Sequence, residues 1–215
     1  MSRRSAEGGD NVSEATARRL SLYLRGLQAL EADGAGTISS HDFAKRFHLN
    51  SAQIRKDLAM FGEFGIRGVG YDVATLTNHL IQLLGIDSEK PVILCGAGHL
   101  GLALAAYGGF NSGGFKIAAL FDVDPAKIGT KLKSGIPILD AGSIADFVSR
   151  NGVEIGVIAV PAEAARTTID SLVAANIRAI LNFAPIQLKA PENVFLKNVD
   201  LKINLETLSF YLRNS

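Results

Sequence analysis

The sequence is poor in cysteine and has no long apolar run. Its single cysteine, Cys95, excludes a disulfide within the chain, which suits a reducing cytosol. No run of about 18 uncharged apolar residues occurs, so we expect no transmembrane helix and no membrane partner. The segment Met1–Asp10 is polar and lacks the apolar stretch of a signal peptide. We therefore expect a cytoplasmic protein whose residues 1–12 form a flexible arm.

The sequence also lacks the signatures of several enzyme and metal sites. Its four histidines (His41, His48, His79 and His99) are scattered and give no zinc-site spacing, so we expect no metal. No P-loop occurs, and none of the four tyrosines is followed four positions later by the lysine that a short-chain reductase needs. No catalytic residue is assigned. A small NAD-dependent oxidoreductase stays as an alternative. A CoA-binding or ligase-subunit module would leave the N-terminal half unexplained.

The N-terminal half has helical periodicity. Apolar residues spaced three and four apart predict a first helix; they are Leu20, Tyr23, Leu24, Leu27 and Leu30. Ser39-Ser40 offers caps for a second helix, and Asn50 or Ser51 for a third. Short runs between the glycines of Gly62–Tyr71 can pair as a hairpin, and a fourth helix follows over Val73–Leu84. This order predicts a winged helix-turn-helix domain over residues 13–85.

The third helix of that domain offers a surface for the DNA major groove. If Ile54, Leu58 and Phe61 are its buried face, small, amide and basic residues point outward, as a recognition helix requires. The candidate DNA-binding residues are Ser51, Gln53, Arg55 and Lys56, with Arg67 in the hairpin. The alternative is that Arg55, Lys56 and Asp57 form an ordinary solvated face. The net charge of +1 does not by itself indicate nucleic-acid binding, so any basic surface must be confined to one part of the chain.

The C-terminal half alternates predicted strands and helices. Apolar runs at Pro91–Cys95, Phe115–Phe121, Val153–Val160 and Ala179–Phe183 predict strands, with helices near Ile144–Arg150 and Ala162–Ala175 between them. This alternation predicts a parallel α/β sheet of Rossmann type over residues 86–198. A last apolar helix spans Leu201–Leu212.

A GxGxxG motif stands where the first of these strands meets a helix. It consists of Gly96, Ala97, Gly98, His99, Leu100 and Gly101. The glycines allow a tight turn, close approach of a pyrophosphate and helix-on-strand packing, and the helix N-terminus favours phosphate. Asp122 lies 21 positions after Gly101 and suits the ribose hydroxyls, which favours NADH/NAD⁺ over NADP(H). The alternative is a glycine-rich turn with a capping aspartate and no nucleotide.

Two further strand ends carry unusual residues. Val160-Pro161 and Asn182-Phe183 follow strands at the edge where parallel sheets bind ligands, so both are candidates to face the nicotinamide. The alternative is that the nearby prolines only terminate strands. An apolar pocket of Phe183, Leu201 and Val160 would disfavour the cationic ring of NAD⁺ through desolvation. Cys95 is either a redox thiol or a small buried residue.

Several blocks of the chain together resemble the Rex redox-sensing repressors. They are Ser39-Ser40, Gln53–Leu58, Phe61–Gly65, Arg67–Asp72, Gly96–Gly101, Phe121–Pro125, Val160–Ala165, Leu181–Pro185 and Asn198–Leu201, within a similarity that covers about Val12 to Leu212. The order and joint occurrence of these blocks are specific. His99 departs from the asparagine or arginine common in the family, at a variable position.

The resemblance implies a homodimer that binds operator DNA when NADH is low. NADH would release the DNA, and NAD⁺ would compete for the same site. It implies further that residues 199–215 form a dimerisation helix swapped between subunits. It also implies an interdomain contact between Arg25 and Asp200 that NADH breaks, unless Asp200 simply caps its own helix.

Overall fold

The computed structural model describes residues 12–111 and 113–214, so all but the last residue of the expected arm lies outside the described chain. The chain divides into two compact units, Met1–Asp87 and Ser88–Ser215. No helix of the described residues is long and apolar enough to cross a membrane.

The first unit is a helical domain with a small sheet. Its helices are α1 (Glu14–Ala32), α2 (Ser40–Phe47), α3 (Ser51–Ala59) and α4 (Val73–Leu83). Its strands are β1 (Thr37–Ile38), β2 (Gly65–Ile66) and β3 (Gly70–Asp72), which form an antiparallel sheet in the order β1-β3-β2. The β2–β3 hairpin is the predicted wing. Strand β1 was not predicted, because two residues are too short for a periodic pattern.

Side-chain caps set the helix boundaries of this unit. The side chains of Ser13, Ser39, Asn50 and Asp72 each accept the backbone N–H three residues later, at the starts of α1, α2, α3 and α4. Asn50, and not Ser51, is therefore the cap of α3. His48 ends α2 in the left-handed conformation, with φ of 54°. The predicted stripe of α1 is buried and packs with Phe43, Ile54 and Leu58 in one core.

The second unit is a six-stranded parallel sheet with helices between the strands. The strands are β4 (Lys90–Cys95), β5 (Phe115–Asp122), β6 (Ile138–Asp140), β7 (Ile155–Ile158), β8 (Ala179–Asn182) and β9 (Phe195–Asn198). Their order is β6-β5-β4-β7-β8-β9, and each neighbouring pair is parallel. The helices are α5 (His99–Ala105), α6 (Gly108–Asn111), α7 (Ile144–Asn151), α8 (Ala162–Ala174) and α9 (Leu201–Asn214). The order reverses at β4, where an open α/β sheet binds its ligand.

Two of these strands were missed, and one helix is unusual. Strands β6 and β9 are the sheet edges, and they are short or half exposed, so their sequences carry little apolar signal. Helix α9 has no buried residue. Seven of its large apolar or aromatic side chains are exposed: Leu201, Ile203, Leu205, Leu208, Phe210, Tyr211 and Leu212.

Candidate functional site

The glycine loop after β4 uses its three glycines for three different reasons. Gly96 has a φ of +104°, and a Cβ there would lie 2.5 Å from the carbonyl oxygen of Ala159. A Cβ on Gly101 would lie 1.8 Å from the carbonyl oxygen of Gly96, so only glycine lets α5 pack so closely on the loop. A Cβ on Gly98 would meet nothing within 4 Å. The space in front of Gly98 is thus open, as the approach of a phosphate requires.

Asp122 lies at the carboxyl end of β5 and binds this loop. Its Oδ2 accepts the N–H of Ala97 at 2.7 Å, and its Oδ1 accepts the N–H groups of Val123 and Asp124, each at 2.9 Å. Lys127 Nζ lies 3.4 Å from Oδ2. Burial alone would raise the pKa of the Asp122 carboxyl, but the N–H groups of Asp124 and Ala97, together with Lys127, lower it below its ordinary value. The site therefore keeps a carboxylate at neutral pH.

A cavity of about 570 Å³ opens beside the loop and Asp122. Gly96 and Gly98 line it from β4, and Asp122 and Lys127 line it from the β5 side. Val160 and Pro161 line it from the β7 side, followed by residues of α8. Four residues of the motif do not line it: Ala97, His99, Leu100 and Gly101. Ala97 is buried in the loop, and in the first turn of α5 Gly101 is buried whereas His99 and Leu100 are exposed.

The cavity is also lined by residues that were not predicted as site residues from the sequence. Lys127, Ala141, Ile144, Ala164, Thr167 and Thr168 all line it. Ala164 lies in the block Val160–Ala165, whereas the other five belong to no motif from which a site could be predicted. Cys95 also lines the cavity, and burial raises the pKa of its thiol to about 12. A thiol that stays protonated is a poor redox nucleophile, which favours the small buried residue over the redox thiol.

Asn182 does not reach this cavity, contrary to the sequence-based expectation. Its side chain is 0% exposed. Its Nδ2 donates to the carbonyl of Ile186 at 2.9 Å and to Oδ1 of Asn198 at 2.8 Å, while its Oδ1 accepts the N–H of Ala184 at 2.9 Å. The amide therefore holds the loop after β8 against β9, and its complete burial keeps it away from a cofactor in the cavity. Phe183 is half-buried against the core cluster that contains Leu94 and Leu120, and it does not line the cavity.

The predicted recognition helix presents part of its candidate surface. Arg55 and Lys56 on α3 are exposed, and Nη1 of Arg55 donates to Oγ of Ser40 at 2.9 Å. Arg67 is exposed at the turn between β2 and β3. Arg55 and Arg67 line one groove of about 620 Å³ between α3 and the hairpin. Ser51 is half-buried in the first turn.

The burial of Asp57 contradicts the alternative in which Arg55, Lys56 and Asp57 form an ordinary solvated face. Asp57 is 1% exposed, and its carboxylate accepts hydrogen bonds from Arg19, Tyr23 and Gln53. Burial alone would raise the pKa of Asp57, but these three hydrogen-bond donors and the charge of Arg19 lower it. The burial of Asp57 was not predicted, because its partners Arg19 and Tyr23 lie 38 and 34 positions away in the sequence.

The two residues of the expected interdomain pair, Arg25 and Asp200, lie in different units. Arg25 is exposed on α1. Oδ1 of Asp200 accepts the N–H of Lys202 at 2.9 Å and of Ile203 at 3.2 Å, so Asp200 caps α9. The capping alternative is therefore realised in this structure. No cluster of metal-ligating side chains occurs among the residues that the structure describes.

Comparison with known proteins assigns both units. Residues 11–59 match the family model described as “Putative DNA-binding protein N-terminus”, and residues 87–186 match the one described as “CoA binding domain”. The redox-sensing transcriptional repressor Rex of Pelotomaculum thermopropionicum is 46% identical over 94% of this chain and 94% of its own length. A relative that spans both units explains the N-terminal half, which a CoA-binding module alone would not.

Solved structures give the same result. The chain is similar to the Rex-family repressor RSP in complex with β-NAD⁺ and operator DNA, with a TM-score of 0.90 and 40% identity over 94% of this chain and 93% of that one. It is similar to RSP in complex with β-NADH, with a TM-score of 0.84 and 39% identity over 95% of each chain. These similarities extend over both units and not over the nucleotide-binding sheet alone.

Proposed function

The chain belongs to the Rex family of redox-sensing transcriptional repressors, and from this membership we propose that it binds operator DNA as a homodimer and releases it when NADH fills the cavity of the second unit. NAD⁺ competes for the same cavity without releasing the DNA. The protein is then a cytoplasmic regulator and not an enzyme.

The observation that carries the cofactor assignment is the open space at Gly98 between α5 and Asp122. A Cβ at Gly98 would touch nothing within 4 Å, whereas the other two glycines of the motif are enclosed by protein. The helix start supplies N–H donors and a positive dipole end to a pyrophosphate placed there. A ribose hydroxyl can replace the long contact of 3.4 Å between Lys127 and Oδ2 of Asp122.

The DNA-binding role rests on α3 and the β2–β3 hairpin. Arg55, Lys56 and Arg67 are exposed cations on one small domain whose helix caps and core fix their backbone. We propose that Arg55 and Lys56 contact bases and that Arg67 contacts phosphate or a minor groove. We propose residues 13–85 as this domain and residues 86–198 as the NADH-binding domain.

The homodimer rests on α9. Its exposed apolar residues repeat around a helix that has no buried residue of its own, and such a surface in a monomer would be in contact with water. Residues 199–215, swapped onto a second copy, would bury it. We further propose that Arg25 and Asp200 form the contact between the DNA-binding domain of one subunit and the C-terminal helix of the other. A double-mutant cycle with Arg25→Ala and Asp200→Ala, read on DNA affinity with and without NADH, tests that pair.

The whole proposal is tested by fluorescence anisotropy on a duplex that the wild-type protein selects from random DNA. NADH is titrated into the complex, NAD⁺ is titrated in parallel, and NADPH serves as the control nucleotide. We expect NADH to dissociate the complex at concentrations where NADPH does not. A complex that is indifferent to NADH would contradict the proposed regulation, and a protein that selects no duplex would contradict DNA binding itself.

A further inference from the structure

A buried carboxylate joins the recognition helix to the first helix of the domain. The Asp57 side chain on α3 is 2% exposed. Nε and Nη2 of Arg19 donate to its Oδ2 and Oδ1 at 2.6 and 2.8 Å, a bidentate pair from α1. Oη of Tyr23 on α1 donates to Oδ2 at 2.8 Å. The fourth donor is Nε2 of Gln53, one turn earlier on α3, at 2.7 Å from Oδ1.

These four hydrogen bonds use the full capacity of an ionised carboxylate. Each oxygen accepts two donors, and a carboxylate offers about four lone-pair sites in total. Burial raises the pKa of the Tyr23 hydroxyl, so Tyr23 stays a donor. The charge of Arg19 offsets the cost of burying Asp57. The network is therefore closed, and no other group of the domain is required to complete it.

The network decides which way the Gln53 amide points. An ionised carboxylate only accepts hydrogen bonds, so the NH₂ group of Gln53, and not its oxygen, must face Asp57. Gln53 is half-buried. Thr77 Oγ1 is the one buried side-chain polar atom without a partner among the described residues. Oε1 of Gln53 accepts no hydrogen bond from the described residues, and it is not among the buried atoms that lack a partner. This oxygen is therefore in contact with solvent.

We propose that Asp57 is the positioning residue of the recognition helix, which orients Gln53 so that its carbonyl oxygen and one N–H face a base. That pair of one acceptor and one donor matches N6 and N7 of adenine in the major groove. Without Asp57 the amide can rotate and present either end, so the match to adenine is lost. This inference rests on the proposed DNA binding and adds to it the side-chain orientation that gives one base preference.

The test uses competition between duplexes that differ at one base pair. The wild-type protein first selects its duplex from random DNA, and Gln53→Ala identifies the position whose preference depends on Gln53. A bidentate contact to adenine should give about fivefold to 150-fold discrimination at that position. We expect Asp57→Ala to reduce this discrimination to about twofold or less, and the double variant Gln53→Ala/Asp57→Ala to reduce it no further.

Tyr23→Phe is the matched control. It removes one hydrogen bond from the same carboxylate but leaves the charge of Asp57 and its bond to Gln53 in place. We expect this variant to keep the discrimination, although it loses some stability. Equal loss in Tyr23→Phe and Asp57→Ala would overturn the inference, because general loosening of α3 would then explain both. Independent, multiplicative losses in the two single variants would overturn it as well.

Wild-type protein gives a second readout if Asp57→Ala does not fold. In ¹⁵N spectra, one side-chain N–H of Gln53 should exchange with solvent at least tenfold more slowly than the exposed amide of Gln28. Equal exchange of the two glutamines would overturn the inference. A wild-type protein that selects no duplex would refute the proposed DNA binding and this inference together. NADH-sensitive binding with no role for Asp57 in discrimination would refute this inference alone.

Discussion

Replacement of Gly98 by alanine separates cofactor binding from folding. Gly98 has φ of −80° and ψ of −174°, an extended conformation that alanine adopts without strain. Its added Cβ would meet no protein atom within 4 Å. The methyl group would instead occupy the space through which we expect the pyrophosphate to approach. The substitution is thus silent in the free protein and harmful in the complex.

The expected change in folding free energy is small because two effects oppose each other. Glycine to alanine restricts the unfolded chain and stabilises by about 0.4–1 kcal/mol where the conformation is compatible. Alanine is a poorer residue than glycine at the N-cap, which Gly98 occupies on α5, and this costs roughly the same amount. The free energy of unfolding of Gly98→Ala should therefore stay within about 1 kcal/mol of wild type.

The expected change in NADH affinity is large. Each hydrogen bond to a charged group contributes about 1.5–3 kcal/mol. A phosphate displaced by the added methyl group loses at least one hydrogen bond to the N–H groups of the loop. This corresponds to roughly 10- to 150-fold weaker binding. Isothermal titration calorimetry measures the affinity, and urea unfolding of the same preparations measures stability. NADH-insensitive DNA binding by this variant would follow.

Two other glycines serve as controls. A Cβ on Gly101 would lie 1.8 Å from the carbonyl oxygen of Gly96, so Gly101→Ala should destabilise the domain by about 1–3 kcal/mol or more through overpacking. A Cβ on Gly36, in the other unit, meets nothing within 4 Å, so Gly36→Ala should leave NADH affinity unchanged and raise the free energy of unfolding by at most about 1 kcal/mol. NADH affinity at the wild-type level in a stably folded Gly98→Ala would refute the placement of the pyrophosphate at this loop.

Three further predictions use other described residues. Asp122→Asn should weaken the rejection of NADPH relative to NADH in calorimetry. Because the pKa of Asp122 is lowered, the wild-type carboxylate stays charged and the discrimination should persist at mildly acidic pH; unchanged discrimination in the variant would contradict this role. Arg67→Ala should weaken binding to all duplexes and reduce the slope of log affinity against log salt concentration by about one. Lys56→Ala should instead weaken the preference at one base pair by about 1–3 kcal/mol. The same change in both variants would argue against separate roles for the two residues. Deletion of α9, residues 201–214, should convert dimers to monomers in sedimentation equilibrium, with an unchanged dimer as the contrary result.

Local sequence was sufficient where one residue type is required by the backbone itself. Gly96 and Gly101 had to be glycine for reasons of φ and of close packing, and their spacing after an apolar run predicted the loop that the structure contains. The helix caps at Ser39 and Asn50 followed from the same kind of local hydrogen bond. These features depend on atoms within a few residues of each other, so the pattern carries them.

Local sequence was insufficient where burial depends on a distant partner. Asp57 stands between Lys56 and Leu58 in a charged run, and only Arg19, 38 positions earlier, makes its burial possible. Asn182 stands at a strand end that faces ligands in this fold, yet Asn198, 16 positions later, turns its amide into the protein. In both cases the polar side chain is typical of a surface or a site until its partner is known.

The charged residues of the cavity lie on one side, and this bears on how the protein tells NADH from NAD⁺. Asp122 and Lys127 line the β5 side, where we expect the adenosine half, while Val160, Pro161 and Ala164 line the β7 side without a charge. The two forms of the cofactor differ by one positive charge on the nicotinamide ring. A ring placed on the β7 side meets no carboxylate that would offset the desolvation of that charge, so the neutral ring of NADH is favoured there. Discrimination then needs no catalytic group and no recognition of the ring by Asn182. The preference for NADH follows from the position of the Asp122 carboxylate, at the end of the cavity away from the nicotinamide ring.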